Sequence, residues 1–137
     1  MCVQADKMFS DEIKDYDMLV LPGGRPEGEN LRNHPGVIAL VQYFRKHHKY
    51  IAAMCSGTTV LSQAKVIEGV KVTGYVGYAE KLKGGVFVDD VVVVDQHIIT
   101  SQGPATVYPF VFQIAEIFHK NTDVIKDRLM YNEITRK

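Results

Sequence analysis

The apolar run Tyr50-Ile-Ala-Ala-Met54 passes without a polar spacer into Cys55-Ser56-Gly57, and Thr58-Thr-Val-Leu-Ser-Gln-Ala64 continues as a helical stretch. A run this short is a buried strand, and small residues at its exit permit a sharp turn directly into a helix. Strand, elbow and helix form the unit of parallel α/β sheets, because each parallel strand needs a crossover before its neighbour.

The rest of the chain repeats the alternation. Asp17-Met-Leu-Val-Leu21 is a second buried strand, stopped by Pro22-Gly23-Gly24, whose glycines free the backbone for a turn. A helix is expected over Pro35 to Lys49. Its apolar positions Val37, Leu40, Val41 and Phe44 recur at helical spacing, and Arg45, Lys46, His47 and His48 crowd the end where cations oppose the helix dipole. The β-branched runs Val70 to Thr73, Val86 to Val88, Val91 to Val94 and Ile98 to Thr100 predict strands. The later ones are expected to be hairpin-connected, with Asp89-Asp90 as a hairpin turn. Gly103-Pro104 opens a helix with proline in its first turn, running to about Lys120, and Thr122 caps a last helix ending near Glu133. The expected class is α/β, with a mostly parallel sheet covered on both faces.

A length of 137 residues, 46% apolar and 23% charged, fits one domain over 1–137. Lys plus Arg equals Asp plus Glu at 16 each, so no net field concentrates polyanions or favours an acidic membrane, and nucleic acid and membrane are set aside as partners. Apolar stretches such as Val91 to Val94 fall far short of the roughly 20 residues needed to cross a bilayer, and the start MCVQADKMFSDE has no hydrophobic signal region, so a cytoplasmic location is expected. The two cysteines, Cys2 and Cys55, give no disulfide framework and no zinc cluster. The first clear strand begins at Asp17, early for a sheet that usually needs about five or more parallel strands. A further front portion of about 45–50 residues, the length of one βαβ unit with a helix and strand, is therefore expected, with complementation by a neighbouring chain as the alternative.

In open α/β sheets ligands bind beyond the carboxyl ends of the strands, where Pro22-Gly23-Gly24 and Cys55-Ser56-Gly57 both sit. Most free cysteines are small buried hydrophobes. A cysteine framed by an apolar strand, a Ser-Gly helix start and an upstream Pro-Gly-Gly is better explained by a site. On such an elbow the side chain is exposed, and a helix N-terminus favours thiolate. The backbone N–H groups of Gly24 and Ser56 would face an oxyanion at roughly 2.7–3.1 Å. A proton-transfer partner is expected within hydrogen-bond reach of such a thiol. His47 and His48 decorate a helix end, His34 lies near a helix start, His97 in a hairpin and His119 at a helix end, so none reads as that partner. Tyr75 and Tyr78 are candidates for the pocket or for packing, Arg25 and Glu27 are expected to be solvated loop charges, and Cys2 has no evident role.

Asp17-Met-Leu-Val-Leu-Pro-Gly-Gly24, Asn30-Leu31, Ala52-Ala-Met-Cys-Ser-Gly57, Val72-Thr-Gly-Tyr75 and Ile99-Thr-Ser-Gln-Gly-Pro104 together resemble, in order and spacing, the ThiJ/PfpI family of the class I glutamine amidotransferase-like superfamily. The resemblance runs from about Val3 to beyond Phe118 and is nearest to the branch of the Parkinson-associated protein deglycase. It implies a flavodoxin-like three-layer α/β/α sandwich that here lacks its N-terminal strand-helix-strand portion, commonly as a homodimer. It also implies Cys55 as an oxidation-sensitive nucleophile, a backbone oxyanion pocket from Gly23, Gly24 and Ser56, and a wall from Tyr75, Gly103 and Pro104. No cofactor and no metal are implied. The activities implied are glyoxalase or deglycase-like chemistry on small reactive aldehydes, or redox sensing and chaperone-like behaviour through oxidation of Cys55, with cysteine peptidase action a more distant option. The family glutamate from the loop after its first strand has no counterpart here. Tyr75 stands where some members have histidine, and Ser56 where peptidase-like members have it.

Overall fold

The computed structural model describes residues 1–136. In chain order the elements are β1 (Met18–Leu21), α1 (Glu27–Asn33), α2 (Pro35–Lys46), β2 (Tyr50–Met54), α3 (Thr58–Gln63), β3 (Lys71–Val72), β4 (Val86–Phe87), β5 (Val92–Asp95), β6 (Ile98–Ser101), α4 (Val107–Ile117), α5 (Asp123–Arg128) and α6 (Tyr131–Thr135). The main sheet has the order β1-β2-β6-β5. β1, β2 and β6 run parallel, with Leu21 beside Ala53 and Met54 beside Ser101. β5 returns antiparallel to β6.

Alternation along β2 divides the interior in two, since successive side chains of a strand point to opposite faces. Ile51 and Ala53 join Leu21 and Ile98 under Val37, Leu40, Val41 and Phe44 of α2 and Val60 and Leu61 of α3. Ala52 faces the other way with Ile99 and Phe110, and Tyr50, Met54, Ile114 and Ile117 pack around them. Helices thus cover both faces of a mostly parallel sheet, as the class and the resemblance imply. Phe44 and Ile51 are fully buried, and each such side chain contributes about 1.5–3 kcal/mol by leaving water.

Several elements depart from the sequence expectations. The helix α1 has no apolar stripe and buries only Gly28, so it carries no periodic signal. α2 ends at Lys46 rather than Lys49, and His48 turns the chain at φ 53. β3 and β4 do not form a hairpin: they pair in parallel as a separate two-stranded sheet. Asp89-Asp90 is consequently a connection between two sheets rather than a hairpin turn. β5 and β6 do form a hairpin, with Gln96 and His97 at φ 50 and 67, the left-handed pair that a two-residue turn requires. The helix after Gly103 begins as a 3₁₀ turn over Pro104–Thr106 and gives way at Ile117. The last predicted helix is two, broken by Met130 at φ 57. Among the described residues no helix is long and apolar enough to cross a membrane.

Candidate active site

The register of β1, β2 and β6 brings three strand exits together: Pro22-Gly23-Gly24, Cys55-Ser56-Gly57 and Gln102-Gly103-Pro104. Met54 is still extended at φ −135, and Cys55 turns to φ 55, in the left-handed region. A non-glycine residue held there costs roughly 1–2 kcal/mol, which the surrounding contacts must offset. Two hydroxyls brace the turn from beyond it. Thr58 Oγ1 donates to the Cys55 carbonyl at 2.6 Å, and Thr59 Oγ1 donates to the Ser56 carbonyl at 2.7 Å.

The Pro-Gly-Gly turn locks onto the elbow. A Cβ on Gly23 would stand 2.6 Å from the Cβ of Cys55 and 2.9 Å from the Met54 carbonyl oxygen, so only glycine lets the two backbones approach. Gly24 adopts φ +112, which an L side chain rarely tolerates. Ser56 Oγ donates to the Gly24 carbonyl at 2.9 Å, tying one strand exit to the next.

Cys55 is half-buried and opens on a cavity of about 310 Å³, lined also by Gly24, Arg25, Ser56, Tyr75, Tyr78 and Pro104. The rings of Tyr75 and Tyr78 meet edge to face at 5.5 Å, Tyr75 exposed and Tyr78 buried. Of the sequence candidates, Cys55, Gly24, Ser56, Tyr75 and Pro104 share this space. Gly23 supports the elbow from behind. Gly103 lies one layer back, where an added Cβ would stand 3.4 Å from the Tyr75 ring. Among the described residues none of the five histidines lines the cavity, and no carboxylate does. His34 caps α2, its Nδ1 accepting from the Val37 amide at 3.2 Å. The Glu27 carboxylate approaches the first turn, its Oε2 2.8 Å from where a Cβ on Gly24 would be.

Arg25 is solvent-exposed, as expected of a loop charge, and it also lines the thiol cavity. Its signal was position: it directly follows a glycine pair at a parallel strand's carboxyl end, where ligand-contacting side chains gather.

The DJ-1/PfpI family model matches residues 1–117. Protein DJ-1 homolog A of Arabidopsis thaliana is 36% identical over 117 residues, 82% of this chain and 30% of that protein. The glutathione-independent glyoxalase DJ-1 of Schizosaccharomyces pombe is 30% identical over 109 residues, 77% of this chain and 56% of that protein. The chain therefore spans between about a third and just over half of the length of these two relatives. The crystal structure of Drosophila melanogaster DJ-1beta superposes with a TM-score of 0.80 at 30% identity, covering 87% of this chain and 67% of that one.

Proposed function

This chain belongs to the DJ-1/PfpI family, and from that premise we propose that Cys55 is the nucleophile of a cofactor-independent, glyoxalase-like reaction on small reactive aldehydes. The observation that carries the reading is the elbow itself. A half-buried thiol projects from a left-handed turn into a cavity of about 310 Å³, a volume at the small-molecule end of binding sites. The family relative named as a glutathione-independent glyoxalase supports the same chemistry.

In this reading the Cys55 thiolate adds to the aldehyde carbon. A sulfur–carbon bond forms as the carbonyl π pair moves to oxygen, and the Gly24 and Ser56 amides meet that oxyanion. For a 2-oxoaldehyde, the aldehyde hydrogen then moves as a proton to the adjacent carbon, and water releases the 2-hydroxy acid from the resulting thioester. Among the described residues no carboxylate or imidazole lines the cavity, so that proton transfer is assigned to a group beyond its lining. Tyr75 and Tyr78 flank the substrate and limit its width.

Methylglyoxal turnover by the protein tests this directly. Cys55→Ala should abolish turnover, and Cys55→Ser, a far weaker nucleophile, should reduce it by orders of magnitude. Undiminished turnover in Cys55→Ala would refute the assignment.

A further inference from the structure

The thiol cavity is one end of a longer groove. Gly24, Arg25, Ser56 and Tyr78 also line a second cavity of about 320 Å³, with Arg32, Thr59 and Lys81 on its far side. Arg32, Thr59 and Lys81 in turn line a third, of about 760 Å³, together with Lys65, Lys83 and Glu68 among others. The three spaces are therefore contiguous along α1, α3 and the segment joining β3 to β4.

Charge along this groove is unbalanced although the chain as a whole carries +0. Five basic side chains line it, Arg25, Arg32, Lys65, Lys81 and Lys83, against the two carboxylates Glu29 and Glu68. Among the described residues the ion pairs lie elsewhere, at Lys7–Glu12, Lys14–Asp11, Lys126–Glu116 and Arg136–Glu133. The groove cations thus line one continuous surface without carboxylate partners among the described residues. Two of them also touch the groove wall: Arg32 Nη1 donates a long hydrogen bond to the buried Thr59 Oγ1 at 3.5 Å, and Lys81 Nζ sits 4.3 Å above the Tyr78 ring. Tyr78 is a wall of the thiol cavity, so the Lys81 charge lies just outside it.

From this arrangement we propose that the groove binds a small phosphate monoester, its phosphate seated between Arg32 and Lys81 and its carbon end directed at Cys55. A dianion answers the several cations that line one space where a monocarboxylate would satisfy one guanidinium, and arginine meets phosphate oxygens with paired N–H donors. The middle space, about 320 Å³ and lined by both Arg32 and Lys81, is of a size that suits a small molecule. The direction of the carbon end rests on the reading of Cys55 given above; the phosphate seat does not.

Calorimetric titration with glycerol 3-phosphate, and with neutral glycerol as control, tests the seat. Saturable binding of glycerol 3-phosphate is expected in the wild type and in Cys55→Ala, and none of glycerol. In Arg32→Gln/Lys81→Gln it should weaken about tenfold or more, the loss of two charge-assisted contacts, while the charge-retaining Arg32→Lys/Lys81→Arg should keep most of it. Absent binding in the wild type, or equal affinity in the glutamine pair, would overturn the proposal. Alkylation of Cys55 by the neutral reagent iodoacetamide tests the direction: glycerol 3-phosphate should slow it in the wild type and not in the glutamine pair. Binding that leaves alkylation unchanged would overturn the placement beside Cys55. Loss of methylglyoxal turnover in Cys55→Ala bears on the thiol alone, so failure of that chemistry and failure of the seat are separable.

Discussion

Gly23 packs so closely on Cys55 that a Cβ at position 23 would stand 2.6 Å from the Cβ of Cys55, inside any tolerable contact. The first strand exit is thus the back wall of the Cys55 elbow, and one methyl group is enough to displace it. Gly23→Ala should destabilise the protein by about 1–3 kcal/mol, the usual cost of overpacking, and should alter the alkylation rate of Cys55. Urea unfolding and thiol-labelling kinetics measure both; a variant matching wild type in the two would contradict the contact.

Thr73 presents the opposite situation, a buried polar atom with nothing to bond. Its side chain is fully buried and its Oγ1 has no partner among the described residues. Its backbone N–H is satisfied, donating to Thr100 Oγ1 at 2.8 Å. An unpartnered buried hydroxyl costs about 1–3 kcal/mol, and an apolar group of the same shape removes that cost. Thr73→Val should therefore raise stability by about 1 kcal/mol, seen as a higher thermal midpoint. A lowered midpoint would mean the hydroxyl is bonded after all.

Glu116 ties α4 to the start of α5. Its carboxylate accepts from Lys126 Nζ at 2.9 Å and from Thr122 Oγ1 at 2.7 Å. These bonds, led by that of Lys126, hold its pKa below the ordinary glutamate value. The folded state favours the ionised form, so the contribution is present above the unfolded pKa and is lost as pH falls through the lowered folded pKa. The pair is partly exposed, and screening keeps its contribution small. Lys126→Met should move the Glu116 titration upward, as followed by carboxyl NMR, and should flatten the acid limb of stability. An unmoved titration would show that Lys126 does not hold the carboxylate.

Much of this was legible in the residues. The elbow could be found because Tyr50 to Met54 is continuously apolar and Cys55-Ser56-Gly57 follows without a spacer, so strand, turn and helix declare themselves locally. α2 was legible from its apolar spacing, and its end at Lys46 was missed because cations at 45 to 48 signal a helix terminus without fixing its last residue. α1 was invisible, since it is held by Gly28 against Ser56 and lacks an apolar stripe. The pairing of β3 with β4 depends on contacts with the rest of the fold that a two-residue strand cannot encode. The exposure of Arg25 follows from its place after a turn, and its nearness to the thiol cavity emerges only once the strand exits are assembled.

β2 is hydrogen-bonded along both edges and covered on both faces, which places the mounting of Cys55 in the region of the molecule that opens last. Chemistry at the sulfur is then a property of the native state. Its rate follows passage through the mouth of the cavity, and sub-denaturing urea should leave that rate nearly flat until the whole domain gives way.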